Sequence, residues 1–283
     1  MGDAAWRKLC SLHITIIGAG RSGSLIAEAL HRTGAQITLV DMDKLETHNV
    51  GESALVNIDD VGLPKPQAIA NRLNESSPGS SPVECVTTEL DSLHTLATIR
   101  SSSLLITTVD NPECRLLAAI LAQFYLIPML DLGTGIQHHF GDAGHPRDRT
   151  MGADMRLCLP DRCLLCSGGL PNTAATAASL LDSYQTDQTG TQRPWFRQRS
   201  GSLRSLNGTA VHLALRMLED WLDNRLPPER NRLLQLRFTS DGTPQLTTTD
   251  FPHTASTTCP VCLSAGHGDS ELPRLREILR TLL

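Results

Sequence analysis

The sequence predicts an α/β fold: a Rossmann-like, mostly parallel sheet flanked by helices, with a C-terminal extension stapled back onto it and a terminal β-hairpin. Three observations predict it. Short apolar runs alternate with longer amphipathic stretches over residues 11–135, as in chains that lay parallel strands side by side and cover both faces with helices. The first run leads into Gly18-Ala19-Gly20-Arg21-Ser22-Gly23, a glycine turn between a strand and a helix. Two Cys-x-x-Cys pairs, Cys163 with Cys166 and Cys259 with Cys262, stand far apart in the chain.

Each element has its own signal. His13–Ile17 is an apolar strand, and Ser22–Thr33 is a helix with Leu25, Ile26, Ala29 and Leu30 on one face. Gln36–Val40 is a second strand. Pro64–Leu73 is a second helix, opened by a proline that suits a first turn. Val83–Thr87 and Leu104–Val109 are the third and fourth strands, Glu113–Phe124 is the next helix, and Pro128–Leu132 is the fifth strand. Beyond Gly133 the pattern loosens. His138–Arg156 reads as a loop or irregular hairpin, and its His138, His139 and His145 as a solvated surface. Pro171–Arg199 is polar and reads as a mobile crossover. Ser205–Leu222 carries Leu206, Ala210, Leu213, Met217 and Trp221 at helical spacing. Leu233–Phe238 and Pro244–Thr247 make a hairpin around Asp241-Gly242, and Glu271–Leu283 forms a short amphipathic helix or tail.

Composition narrows the class. The 283 residues are 40% hydrophobic with a net charge of −5, enough for a sizeable core and without the basic face that nonspecific nucleic-acid binding needs. No apolar run reaches the roughly 18 residues of a membrane span. Met1–Arg7 has no apolar core of a signal peptide, so a cytoplasmic protein is expected. Cys10, Cys85, Cys114 and Cys158 sit among apolar neighbours and read as reduced core thiols.

The cysteine pairs carry the strongest metal signal. Cys-x-x-Cys aims two thiolates at one ion from a single turn, and two such pairs complete a closed tetrahedral zinc site, structural rather than catalytic. The competing readings are disulfides or a redox pair. Turn formers beside both pairs (Pro160, Gly168 and Pro260) favour zinc.

The glycine turn points to a nucleotide. Glycines there admit phosphate or ribose to the backbone, and the following helix offers its N-terminal amides to an anion. Asp41 ends the second strand, where a carboxylate can hold ribose hydroxyls. These features alone also suit a nicotinamide-dependent oxidoreductase, but no hydride-transfer site is evident. Instead the chain continues as Asp41-Met42-Asp43, then Asn49, then Gly62-Leu63-Pro64-Lys65, and later Thr108-Val109-Asp110-Asn111.

This order, closed by the two cysteine pairs, resembles the ThiF/MoeB and ubiquitin-activating enzyme superfamily over about residues 7–262. The resemblance implies an enzyme that binds ATP and Mg2+, holds a structural Zn2+, and adenylates the C-terminal glycine of a ubiquitin-like or sulfur-carrier protein, releasing pyrophosphate. It implies that Gly18, Gly20 and Gly23 admit the adenosine and that Asp41 holds the ribose. Asp43 and Asn49 would line the pocket, Lys65 would contact the phosphates, and Asp110 would hold magnesium. Lys65 and Asp110 are then the catalytic residues, and Cys163, Cys166, Cys259 and Cys262 the zinc ligands. It also implies a homodimer, admits a conjugating enzyme as partner, and gives no role to nucleic acid or membrane. The whole of 1–283 would be one adenylation domain: a nucleotide-binding core at 11–135, a zinc-stapled half at 136–262 and a tail at 263–283.

The chain departs from that family in three places. Members carry an arginine three residues after the asparagine, where this chain has Glu52. An anion there repels a triphosphate, which leaves Arg21, Arg72 or a partner chain's arginine to compensate and keeps open a non-catalytic scaffold for a ubiquitin-like protein. The helical segment ahead of the first strand is expected to be nearly absent. Residues 167–258 hold no cysteine, so adenylation without an enzyme-bound thioester is expected, with Cys114 and Cys158 as inert thiols. Arg199–Asn207 and Cys163–Gly169 resemble the branch that accompanies bacterial ubiquitin-like modifiers.

Overall fold

The computed structural model describes residues 2–51, 53, 55–76, 81–140, 146–160, 162–186, 203–227, 230–239, 241–252 and 256–283. Eight strands form one sheet in the order β3-β2-β1-β4-β5-β6-β7-β8. They are β1 (His13–Ile17), β2 (Gln36–Val40), β3 (Glu84–Val86), β4 (Leu104–Thr107), β5 (Met129–Phe140), β6 (Pro146–Cys158), β7 (Arg230–Phe238) and β8 (Pro244–Pro252). The pairings from β3 to β5 are parallel, and those from β5 to β8 antiparallel. The mostly parallel, helix-flanked sheet expected from the sequence is therefore present, and the terminal hairpin of β7 and β8 extends that same sheet.

Helices cover both faces. One core gathers α1 (Asp3–Cys10), α2 (Arg21–His31), α3 (Lys65–Ser76) and α7 (Arg204–Leu222) through Leu9, Ile26, Ile69 and Val211. The other gathers α4 (Leu93–Arg100), α5 (Pro112–Phe124), α6 (Thr173–Thr186), α8 (Pro260–Leu263) and α9 (Leu275–Arg280) through Ile99, Ile120, Ala177, Val261 and Leu279. Among the described residues, no helix is long and apolar enough to cross a membrane.

His138–Arg156, expected as a loop or irregular hairpin, falls in the antiparallel pair of β5 with β6, which runs from Met129 opposite Cys158 to Phe140 opposite Pro146 with an irregularity after His139. From Met151 to Leu157 β6 is hydrogen-bonded on its other edge by β7, so over that stretch a neighbouring strand supplies what local propensity lacks. Residues 141–145, with His145, and the side chains of His138 and His139 lie outside the described part. Other elements differ from the sequence expectation. The expected crossover begins as a helix, α6: Ala177, Leu180 and Leu181 are buried at helical spacing beneath a threonine- and alanine-rich surface. Its later part, 187–202, lies outside the described residues. The segment before β1 is a two-turn helix, α1, held by burial of Ala5 and Leu9. Helix α4 was not foreseen; Ser92 caps it by accepting from the Thr95 amide at 3.2 Å. Of the four scattered cysteines only Cys158 is fully buried. The final residues pack as a 3-10 turn and α9, placing Leu275, Ile278 and Leu279 in the second core.

Candidate functional site

The sheet reverses its winding between β1 and β4, which lie side by side although β2 and β3 intervene in sequence. A crevice opens outside the carboxyl ends of strands at such a point. The glycine turn follows β1, Asp41 follows β2 and Asp110 follows β4, so the fold brings these three segments together.

Two of the three glycines are required by packing. Gly18 has φ +100, and a Cβ there would stand 2.8 Å from Val109 Cγ1 and 2.9 Å from Thr108 Oγ1. A Cβ on Gly23 would stand 1.9 Å from the Gly18 carbonyl oxygen, so α2 can approach the turn only with glycine there. Gly20 differs: it caps α2 in an extended conformation with nothing within 4 Å of its would-be Cβ. It faces open space at the start of a helix, the place where exposed amides attract an anion.

Asp41 braces this turn. Its Oδ2 accepts from the Ala19 amide at 2.8 Å and its Oδ1 from the Asp43 amide at 2.9 Å. Burial pushes the Asp41 carboxyl up; the Lys65 charge and the two amides oppose that, and the net shift remains upward. Lys65 opens α3, its amide donating to the Asp43 carbonyl at 2.9 Å beside a bridge between Lys44 and Pro64. Its side chain is only 16% exposed, and Nζ lies 2.6 Å from Asp43 Oδ2. Burial works to lower the Lys65 pKa, but Asp41, Asp43 and Asp110 outweigh it, and the ammonium is held above its ordinary value. One buried ammonium thus stands among three carboxylates, of which Asp110 is exposed. Such a site repels a bare polyphosphate and suits one accompanied by a divalent cation.

The structure therefore brings together Gly18, Gly20, Gly23, Asp41, Asp43, Lys65 and Asp110. Asn49 lies on a 3-10 turn, Thr47–Asn49, where its side-chain oxygen accepts from the Glu46 amide at 3.0 Å. Arg72 faces away from the phosphate role: it pairs with Asp60 at 3.6 Å and Glu75 at 3.4 Å. Arg21 is the first residue of α2. Glu52 lies outside the described residues.

The four paired cysteines converge. All four Sγ atoms lie within 4.8 Å of one another. Cys163 to Cys259 is 3.7 Å, and Cys166 to Cys262 is 3.7 Å. A tetrahedron with Zn–S bonds of about 2.3 Å has edges of about 3.8 Å, whereas a disulfide needs about 2.0 Å. The donor set and its spacing fit zinc and do not fit disulfides. Hydrogen bonding to Cys166 and the other two thiols holds Cys163 far above the ordinary thiol range, while the bond from Cys163 first, then Cys166 and Cys262, holds Cys259 below it. A cation would relieve this competition for protons.

Sequence reasoning missed a buried ion pair beneath the site. Arg115 on α5 grips Asp131 on β5 through Nε to Oδ1 at 2.9 Å and Nη2 to Oδ2 at 2.5 Å. The Thr107 hydroxyl donates to the same Oδ1 at 2.7 Å. The only signal available was two charged residues within otherwise apolar elements.

Comparison with known proteins supports the same picture. A family model described as "ThiF family" matches residues 1–164. The chain is 37% identical over 91 residues to the tRNA threonylcarbamoyladenosine dehydratase of Escherichia coli (strain K12), a match covering 32% of this chain and 32% of that protein. The chain thus spans about a third of that relative's length. It is 27% identical over 255 residues to the sulfur carrier protein ThiS adenylyltransferase of Bacillus subtilis (strain 168), covering 89% of this chain and 70% of that protein. The crystal structure of E. coli MccB with ATP superposes with a TM-score of 0.62 at 17% identity, covering 92% of this chain and 69% of that chain; this likeness concerns the fold.

Proposed function

The chain belongs to the ThiF family, and from that premise we propose that it is an ATP-dependent adenylyltransferase that activates the C-terminal glycine carboxylate of a ubiquitin-like or sulfur-carrier protein. The observation that carries this reading is the placement of Lys65, half-buried and 2.6 Å from Asp43 Oδ2, among Asp41, Asp43 and Asp110 at the open end of the glycine turn. The reach of the match to the B. subtilis ThiS adenylyltransferase along this chain supports it. We take residues 1–283 as one adenylation unit, working as a cytoplasmic homodimer.

In this reading the carrier's carboxylate oxygen attacks the α-phosphorus, the bond from that phosphorus to the bridging oxygen breaks, and pyrophosphate leaves. Gly18, Gly20 and Gly23 admit the adenosine and the first phosphate, Asp41 accepts from the ribose hydroxyls, and Asp43 and Asn49 line the pocket. Lys65 exchanges its bond to Asp43 for the α-phosphate oxygens, where charge accumulates as the new bond forms. An ammonium already held beside the site needs only that local exchange to meet the developing charge. Magnesium, which Asp110 would hold, supplies charge neutralisation at the phosphates. Arg21, first residue of α2, takes the phosphate-facing role that Glu52 cannot fill.

The intermediate leaves without an enzyme thioester. Burial pushes the Cys158 thiol up to about 12 and the Cys85 thiol up to about 11, which disfavours the nucleophilic thiolate. A conjugating enzyme or a sulfur donor would then receive the adenylate directly. The E. coli relative named for a tRNA raises a nucleic-acid substrate as a second reading; the net charge of −5 weighs against it. Calorimetry with ATP tests the proposal: binding that requires magnesium is expected. ATP binding that is absent, with or without magnesium, would leave a scaffold as the better reading.

A further inference from the structure

Four successive residues, from the second cysteine of the first pair onward, are each held by a different side chain. The Cys166 carbonyl accepts from Arg162 Nη2 at 2.9 Å, and the Ser167 hydroxyl from Asn231 Nδ2 at 3.0 Å. The Gly168 carbonyl accepts from Arg156 Nη2 at 3.2 Å, and the Gly169 carbonyl from Arg115 Nη2 at 3.1 Å. The segment is closely packed: Gly168 has φ +67, and a Cβ on Gly169 would stand 2.1 Å from Leu164 Cδ1. The segment leaving the four-cysteine site is thus a strut tied at four points, and its last contact is with α5.

That contact leads back to the nucleotide crevice. Arg115 lies one turn into α5, and its amide donates to the Asn111 carbonyl at 3.2 Å. Asn111 caps α5 and directly follows Asp110. The same guanidinium forks onto Asp131, which is fully buried and also receives the hydroxyl of Thr107, the last residue of β4. Arg115 thus touches both flanks of the Thr108–Asn111 segment: its guanidinium holds Thr107 through Asp131, and its backbone amide makes the ordinary helical bond to Asn111. Only a planar fork with a donor to spare makes all three bonds at once.

We propose that Arg115 is a positioning residue that couples the metal state of the four-cysteine site to Asp110, and so to the binding of magnesium and ATP. The inference rests on the reading of Asp110 as the magnesium-holding carboxylate. When zinc draws Cys163 and Cys166 toward Cys259 and Cys262, the strut is set, and Arg115 and Asp131 hold the start of α5 in register with β4. Without the metal the strut is free to shift, and Asp110 shifts with it.

Coupling between two sites is reciprocal, which gives a test that needs no turnover. The zinc-loaded wild-type protein is challenged with the chelating dye 4-(2-pyridylazo)resorcinol, with and without magnesium and a non-hydrolysable ATP analogue. Magnesium with the analogue is expected to slow zinc extraction on the order of fivefold or more. In Arg115→Lys, which keeps the charge and loses the fork, that ratio is expected to fall toward one in protein that remains folded at the assay temperature. Analogue binding measured by calorimetry in the wild type, with zinc extraction unaffected, would overturn the coupling alone. No analogue binding would overturn the functional reading and the coupling together. An undiminished ratio in Arg115→Lys would remove Arg115 from the path. If that variant does not fold, the wild-type ratio decides: a ratio near one overturns the coupling, and fivefold slowing supports it.

Discussion

The two halves of the sheet handle charge in opposite ways. At the crevice of the parallel half the Lys65 ammonium stands among the carboxylates of Asp41, Asp43 and Asp110, which outnumber it. In the antiparallel half, β6 to β8, arginines are matched to carboxylates and carbonyls. Arg156 and Arg237 both grip Asp154, at 2.8 and 2.5 Å, and Arg232 grips Asp250 at 2.7 Å. Burial works to raise the Asp154 pKa, but the Arg237 hydrogen bond and the Arg156 charge hold it below the usual carboxylate range. An imbalance that a ligand can correct marks a binding site, and a balanced network marks a brace.

The largest effect that would sharpen this contrast comes from the metal staple. Replacing Cys163 and Cys259 together with serine removes half of the four-cysteine cluster that would hold zinc. Structural zinc contributes to folding outright, with apparent binding energies of about 10 kcal/mol or more in small domains. The expected outcome is a fall in melting temperature of at least about 10 °C at a loss of several kcal/mol, checked by calorimetry alongside metal analysis. A melting temperature within about 2 °C of the wild type would show that the brace is held by its arginines alone.

Next is Gly23→Ala. A Cβ there overlaps the Gly18 carbonyl oxygen, so α2 must move off the turn at a cost of about 1–3 kcal/mol, as for other overpacked sites. Loss of ATP binding together with a lowered melting temperature is expected in calorimetry and thermal denaturation.

Lys65→Ala should separate function from stability. Removing one preorganised donor to developing charge costs about 3–4 kcal/mol of transition-state stabilisation, so ATP–pyrophosphate exchange with a carrier ending in glycine should fall on the order of a hundredfold or more. The pH profile adds a sign. Because the folded-state pKa of Lys65 is raised, whatever stability its ion pairs contribute is fully present below its unfolded value and is lost only as pH rises through the folded one. Exchange should therefore show no alkaline loss from this group below about pH 10. An alkaline limb near neutrality that moves in Lys65→Arg would contradict this.

The parallel half was legible because its chemistry is written residue by residue. Gly18, Asp41 and Asp110 follow strand ends and Lys65 opens α3, and each type is interpretable where it stands. The cysteine pairs were legible for the same reason. The brace was not. Arg115 and Asp131 meet only because α5 returns along the sheet and β5 follows it; nothing in their spacing announces a pair. Asp154 and Arg237 meet through the register of β6 with β7, which no local pattern fixes. Helix α6 was hidden because threonine and alanine dilute the periodic signal of Ala177, Leu180 and Leu181, and it forms because the second core receives that stripe.

The smallest expected effect makes the finest distinction, since it compares two glycines of one turn. Gly20→Ala meets no atom within 4 Å and keeps an extended backbone with φ −81, which any residue adopts. Stability should change by no more than about 0.5 kcal/mol, as for surface positions, in contrast to Gly23→Ala. If the space over Gly20 is where the first phosphate meets the α2 amides, the added methyl intrudes on the ligand alone. ATP affinity should then weaken on the order of tenfold, about 1.4 kcal/mol, with the melting temperature of the free protein unchanged. Equal affinity in Gly20→Ala and wild type would move the phosphates away from the start of α2, and would leave Gly18 and Gly23 as packing residues of the turn.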